Sequence, residues 1–260
     1  AEFLRRASLD IDGTLPTPEE VVAFLDDHTA DKRARKIDEL LARPEYALWW
    51  STKLCDVTGL NAPAQLGSTN FGPLVGAQWY DWIERRVREN QGYDEIVRGM
   101  VTSVSVSPGE TYEDYVTRQT SYLRKKDPVD FAAQPSMPHY WFRGNLGTSE
   151  EKALGFAYTF LGVRLDCAQC HKHPFDQWTK DDFDRFKGFF ARVKSGDAPG
   201  TKEQAKEMLA GLDIDMKGKN AQAQARELAG VAAKGKVIPF QELYVDAGKP
   251  TSSDRKTGND

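Results

Sequence analysis

The sequence predicts a mainly α-helical protein with an irregular helical domain and a polar extension. Two observations carry this prediction: signals for helix starts recur along the chain, and apolar residues repeat at helical spacing behind several of them. The chain has 260 residues, of which 40% are hydrophobic and 28% charged. This composition is ordinary for a globular protein of this length, which can bury a sizeable core.

The first hundred residues carry the clearest helix signals. Thr17 and Glu20 form a capping-box pattern with Pro18 at the first helical position, which predicts a helix start. A stretch over 59–74 is rich in glycine, asparagine and proline and is expected to be a loop. Further helices are expected to start at Asp31 and at Pro44. Two more are expected over 77–88 and 93–101.

The second half is less regular before it becomes helical again. Prolines at 135 and 138 exclude a continuous helix there, because each restricts the residue before it. Thr148 is the expected N-cap of a helix that runs to about Leu161, and Thr179 caps the next one. The phenylalanines expected on one face of that last helix are Phe183, Phe186, Phe189 and Phe190. A helix is also expected near 112–122.

Charge and hydropathy exclude two classes of function. The net charge is -4 and the sequence pI about 5.7, whereas nucleic-acid binders are normally basic. No apolar run approaches the roughly 20 residues that a membrane-spanning helix needs. The chain opens on a charged amphipathic pattern, so we expect a processed form of a longer protein, and the missing signal peptide does not argue against export.

The most informative pattern is the run Cys167-Ala168-Gln169-Cys170-His171. Two thiols at this spacing bond the two vinyl groups of one haem, and the histidine that follows offers an imidazole nitrogen to the iron. The run therefore predicts a covalent c-type haem held by Cys167 and Cys170, with His171 as the proximal ligand. Because the run lies so deep in the chain, we do not expect the ordinary small cytochrome c fold.

Other interpretations of the same residues stay open. The cysteines could be a structural pair, or a thioredoxin-like redox pair, which needs a βαβ setting that this helical context does not offer. Zinc is a third possibility, with Cys167, Cys170 and His173 as ligands and Asp176 or His139 as the fourth. Zinc would leave the histidine next to Cys170 unused, which favours haem.

The second axial position of the iron has several candidate ligands in the sequence. His139 is the best candidate because it lies in an irregular loop bounded by prolines; an alternative is that it simply packs in the core. Met137, Met100 and His28 are weaker candidates. An open sixth position would favour a five-coordinate enzyme of peroxidase type over electron transfer.

Several neighbours of the motif are candidates to line the porphyrin. His173 is expected to bond a haem propionate, pair with Asp176 or play a plain structural role, and Cys55 is expected to be buried. The candidate walls are Trp178, Phe175, Trp141 and Phe190, and the candidate propionate partners are Arg143 and Arg164.

Three segments of the chain are similar to a known bacterial family. Phe160–Thr179 reads FLGVRLDCAQCHKHPFDQWT, and the opening segment (Phe3–Asp10, then Gly13–Glu20) and Ile37–Tyr46 are similar too. Over about 2–192 the chain resembles a domain of unknown function abundant in planctomycetes, often found downstream of a planctomycete-type cytochrome c domain. The CxxCHxHPFDxW segment is its most specific part. The resemblance implies an exported protein in a redox setting, with no known catalytic activity.

The expected domain organisation follows. Residues 1–193 form the haem-bearing helical domain, 194–236 a polar helical insert or appendage, and 237–260 a short strand and disordered tail. We expect a monohaem cytochrome domain in the periplasm or at the cell surface, acting in electron transfer or as a redox module of a larger protein. Its partner would be a redox protein or a neighbouring cytochrome domain, and the alternative is a zinc-stapled interaction module.

Overall fold

The chain folds as a succession of mostly short helices, consistent with the mainly α class that its sequence predicts. A computed structural model describes residues 1–60, 72–212, 214, 216–246 and 248. Its α-helices are α1 (Glu2–Ile11), α2 (Pro18–Asp26), α3 (Lys32–Leu41), α4 (Pro44–Thr58), α5 (Gly72–Arg88), α6 (Tyr93–Val101), α7 (Tyr112–Ser121), α8 (Ser149–Phe156), α9 (Lys180–Gly188), α10 (Lys202–Gly211) and α11 (Ala221–Ala233). Short 3-10 turns lie at Phe131–Ala133, Pro138–Phe142 and Cys167–Gln169.

The predicted helix starts are largely confirmed. Thr17, Thr148 and Thr179 each cap a helix, and in each box the threonine side chain accepts a hydrogen bond from the N3 backbone while the N3 carboxylate accepts one from the cap. α4 begins at Pro44 as expected. α3 begins after Asp31, but the Asp31 side chain makes no capping hydrogen bond.

The main core is built around tryptophans on α5 and on the 3-10 turn Pro138–Phe142. Trp79, Trp82 and Trp141 are almost fully buried. Each indole nitrogen still finds an acceptor: the Thr58 hydroxyl for Trp79, and backbone carbonyls for the other two. A buried indole N–H without a partner would cost stability, so these bonds fix how α4, α5 and α6 pack.

The segment after α9 contributes a two-stranded sheet and a small apolar cluster. Strand β1 (Val193–Gly196) pairs antiparallel with β2 (Glu242–Val245), with Val193 opposite Val245 and Gly196 opposite Glu242. α11 buries Leu228 and Ala232 in a small apolar cluster with Ile238. α10, in contrast, has no buried residue.

One local expectation is refined and three are corrected. The helix expected to run to about Leu161 does end there, but it is α-helical only to Phe156 and widens into a π-helical turn over Ala157–Leu161. Phe189 lies just past the end of α9 and is 79% exposed, so it does not share the buried face of Phe183. The strand expected over 237–245 is limited to β2, and the residues before Glu242 form a loop. The expected loop over 59–74 ends earlier, since α5 begins at Gly72.

Two expectations fall partly or wholly outside the described residues: most of the loop over 59–74, and the disordered tail beyond 248. Within the described part of the chain, no helix combines the length and the hydropathy needed to span a bilayer.

Candidate functional site around Cys167 to His171

The Cys167–His171 segment is positioned by the end of the helix before it. α8 continues into the π-helical turn Ala157–Leu161, which Gly162 ends with a positive φ of 65°. L-residues with a side chain rarely adopt this conformation, so glycine lets the chain turn sharply here. The next residues then lead directly into the Cys167–Gln169 turn.

Two apolar side chains anchor that turn to the core. Leu165 and Ala168 are buried in the main cluster, and the Ala168 N–H donates to the Leu165 carbonyl. The backbone N–H groups of Cys170 and His171 both donate to the Cys167 carbonyl, each at 3.3 Å. Because Ala168 lies inward, the cysteines on either side of it are both exposed. The turn thus presents two thiols to solvent within one short segment.

The histidine of the motif is also oriented by a hydrogen bond. His171 is exposed, and its Nδ1 lies 2.7 Å from the Lys172 carbonyl oxygen. A carbonyl only accepts, so this bond requires a proton on Nδ1. In the neutral imidazole the lone pair is then on Nε2, the arrangement found in most metal-ligating histidines.

This donor set fits the predicted cofactor. All three cysteines are free thiols, and Cys167 and Cys170 flank one turn with an open imidazole nitrogen next to them. A c-type haem needs two thiols for the vinyl groups and one nitrogen for the iron. The buried indole Nε1 of Trp178, seven residues after His171, is a donor without a hydrogen-bond partner among the described residues.

Cys55 differs from the motif cysteines. It lies in α4, is buried in the core, and burial raises the pKa of its thiol to about 12. Since the thiolate is the reactive form, this cysteine is inert at neutral pH. The expectation that Cys55 is a small buried residue is therefore confirmed.

The surface next to the motif is unusually apolar. Phe175 is 94% exposed, and Tyr158 and Leu161 on the π-helical turn are more than half exposed. A shallow pocket of about 260 Å³ lies beside Tyr158, and Arg164 and Asp166 contribute to its wall. Exposed apolar side chains therefore precede and follow the motif along the chain.

Other residues were predicted to line the porphyrin or to pair with its propionates. Some of them lie at the surface and others in the core. Trp141 and Phe190 are buried in the main core, and Trp178 is half-buried. Arg143 is buried, and its guanidinium donates to the backbone carbonyls of Thr58 and Tyr140. Arg164 is exposed over the Tyr158 ring and remains available to an anion.

His173 closes the loop that follows the motif. Its backbone N–H donates to the Trp178 carbonyl at 2.8 Å, and its Nδ1 accepts from the Phe175 N–H at 3.2 Å. The Asp176 carboxylate accepts instead from the Gln177 N–H. Among the described residues, no three His, Cys, Asp or Glu side chains are placed to share a metal ion. The residues suggested for zinc are therefore not assembled as a site.

The structure does not bring the predicted sixth ligands to the motif. His139 is buried, with its Nε2 3.0 Å from Gln78 Oε1 and its ring stacked on Phe131. It lines a large cavity to which no residue of the motif contributes. Met100 and Met137 are fully buried in the core, and His28 is exposed between α2 and α3. Ligation of iron by any of them stays a prediction.

Sequence reasoning missed that large cavity. Its lining comes from segments spread between residues 75 and 241, including Gln78 and Gln119. No short-range pattern links positions so far apart. Only the irregular, proline-bounded loop around His139 pointed toward it, and that loop was interpreted as a source of an iron ligand.

Comparison with known proteins gives a family but no characterised relative. No curated protein and no solved structure matches the chain significantly. Residues 1–195 match the model of a family described as PSCyt2, a protein of unknown function (DUF1549). The match includes the Cys167–His171 segment and three quarters of the chain. The chain therefore belongs to the PSCyt2 family.

Proposed function

We propose that this chain is a c-type cytochrome domain that carries one haem and acts in electron transfer, alone or as the redox module of a larger protein. The observation that carries the proposal is the geometry of the Cys167–His171 turn. It offers two exposed thiols and one imidazole whose Nδ1 is already occupied. No other segment of the described chain combines these three groups.

The roles of the residues follow from their chemistry. Cys167 and Cys170 would hold the haem through thioether bonds to its two vinyl groups. His171 would offer Nε2 to the iron, while the Lys172 carbonyl holds the ring and its tautomer. When bound, the haem supplies a one-electron couple between ferric and ferrous iron.

The surrounding side chains would control water and charge. Phe175, Tyr158 and Leu161 are apolar and exposed, and covering them with a porphyrin removes their surface from water. Arg164, exposed at the adjacent pocket, is suited to pair with a propionate. These contacts would stabilise the attached cofactor beyond its two covalent bonds.

The proposal extends to location and partner. Haem is attached to such motifs outside the cytoplasm, which favours the periplasm or the cell surface. A redox partner, or a neighbouring cytochrome domain, would dock weakly over the edge of the haem, as transient electron-transfer pairs do.

Periplasmic expression with a haem-maturation system tests the proposal. The purified protein should be coloured, and its Soret band should stay with the chain after denaturation. Cys167→Ser and Cys170→Ser should each weaken the covalent attachment, and the double variant should abolish it. Cys55→Ser is the matched control and should keep the haem, because Cys55 is buried away from solvent.

Two results would contradict the proposed function. A colourless wild-type protein from cells that mature another c-type cytochrome would overturn the proposal. Retention of haem by the double variant after denaturation would show that the motif does not hold it.

A further inference from the structure

A second site lies away from the haem motif, in a cavity of about 370 Å³. The cavity is enclosed by α5, α7, α10, α11 and the 3-10 turn Pro138–Phe142. No residue between 143 and 196 lines it, so it is separate from the Cys167–His171 segment. Its volume falls in the range of small-molecule sites, roughly 300 to 1,000 Å³.

Buried polar groups line part of this cavity. Gln78, Gln119 and His139 are each only 9% exposed. Burial lowers the pKa of His139 to about 4, so the ring is neutral, and its Nε2 lies 3.0 Å from Gln78 Oε1. The Gln119 carboxamide makes no side-chain hydrogen bond with the described residues. Other polar groups of the lining are used internally: the Tyr115 hydroxyl donates to the Gln241 carbonyl.

The unpaired carboxamide suggests what a ligand must offer. A carboxamide offers one oxygen that accepts hydrogen bonds and one NH₂ group that donates them. A ligand with both a donor and an acceptor, such as an amide, would satisfy it. Because His139 is neutral, the buried lining residues that the structure describes include no cation for a carboxylate.

The remaining walls and the exposed side chains define the rest of the ligand. Tyr115, Leu228 and Phe240 give apolar and aromatic walls, which suit a flat apolar body. Lys202 and Lys206 are exposed on α10 and line the same cavity, and Asp197 is the one acid among the described residues of the lining. Lys206 pairs with Glu203, whereas Lys202 makes no ion pair within the described part of the chain. The exposed side of the cavity therefore favours an anionic group on the ligand.

We propose that this cavity binds a small organic acid with a flat apolar body. Its amide or similar polar group meets Gln119 and Gln78, and its carboxylate lies toward Lys202. The site is independent of haem binding, so its test does not depend on the function proposed above.

Titration calorimetry with 4-acetamidobenzoate tests this site. This probe joins an amide, an aromatic ring and a carboxylate, and the uncharged 4-methylacetanilide is the matched compound. We expect saturable binding of the acid and weaker binding of the uncharged compound. Gln119→Leu should weaken the acid about tenfold by removing its hydrogen bonds. Lys202→Glu should weaken it several-fold and reduce its salt dependence.

A blocking variant completes the experiment. Leu228→Trp places a larger side chain at the buried wall and should abolish binding, whereas Arg226→Trp on the exposed face of the same helix should not. Circular dichroism checks whether each variant is folded. If Leu228→Trp does not fold, the test rests on Gln119→Leu and Lys202→Glu. The proposal is overturned if the acid shows no saturable binding, if the uncharged compound binds equally well, or if neither Gln119→Leu nor Lys202→Glu weakens it.

Discussion

At the scale of single residues, His139 shows how burial changes what a side chain does. The sequence favoured it as an iron ligand because it lies in an irregular loop bounded by prolines. In the structure its Nε2 faces Gln78 and its ring stacks on Phe131 at 4.8 Å between ring centroids. A ring held in this way acts first as a packed, neutral core group.

The lowered pKa of His139 predicts acid sensitivity. Its pKa falls from about 6.5 in the unfolded chain to about 4 in the folded protein, because burial disfavours the charged ring. The unfolded state therefore takes up the proton first, so this stabilisation is complete above about pH 6.5 and is lost as the pH falls toward 4. We expect a loss of about 2 kcal/mol between pH 7.5 and 5.

Urea unfolding at several pH values measures this term. His139→Gln keeps a polar group for Gln78 but does not titrate, so its free energy of unfolding should fall less over the same range. His28→Gln replaces an exposed histidine and should follow the wild type. Equal pH dependence in His139→Gln and the wild type would contradict the assignment.

At the scale of elements, two glycines show that backbone conformation, and not side-chain packing, decides the effect of a substitution. One precedes the motif and the other lies in α11. Gly162 and Gly230 both have open space where a Cβ would lie. They differ in conformation, since Gly162 has a φ of 65° and Gly230 lies inside α11. An added methyl group therefore meets no clash at either position, and only the backbone preference changes.

Alanine substitutions at these two positions should have opposite effects. Gly162→Ala forces a left-handed conformation and should destabilise the protein by about 1 kcal/mol. Gly230→Ala removes a flexible residue from a helix interior and should stabilise it by about 0.5 to 1 kcal/mol. Chemical denaturation measures both, and a change of the same sign in the two variants would refute the interpretation.

Elements were predictable where their signals are local. The boxes at Thr17, Thr148 and Thr179 were identified from sequence because the threonine and the acidic residue bond each other within one turn. The π-helical turn after Phe156 and the exposure of Phe189 were not, because tertiary packing decides both. For the same reason the sequence identified Cys167 and Cys170 but not that Ala168 anchors the turn between them.

At the scale of the whole molecule, the account separates two sites. The motif and Phe175 lie along one short continuous stretch and so could be predicted from sequence, whereas the exposure of Tyr158 and Leu161 could not. The cavity beside Gln119 is assembled from distant segments and could not. Family membership covers 1–195, which includes the motif, whereas α10 and α11, which close the cavity, lie beyond it.

The central claim is that the Cys167–His171 turn holds a haem covalently, and intact mass spectrometry of the denatured protein tests it most directly. Protein matured in the periplasm should be heavier than the unmodified chain by the mass of one haem. In the Cys167→Ser, Cys170→Ser double variant this added mass should be absent. A wild-type mass equal to that of the unmodified chain, or an added haem in the double variant, would contradict the account.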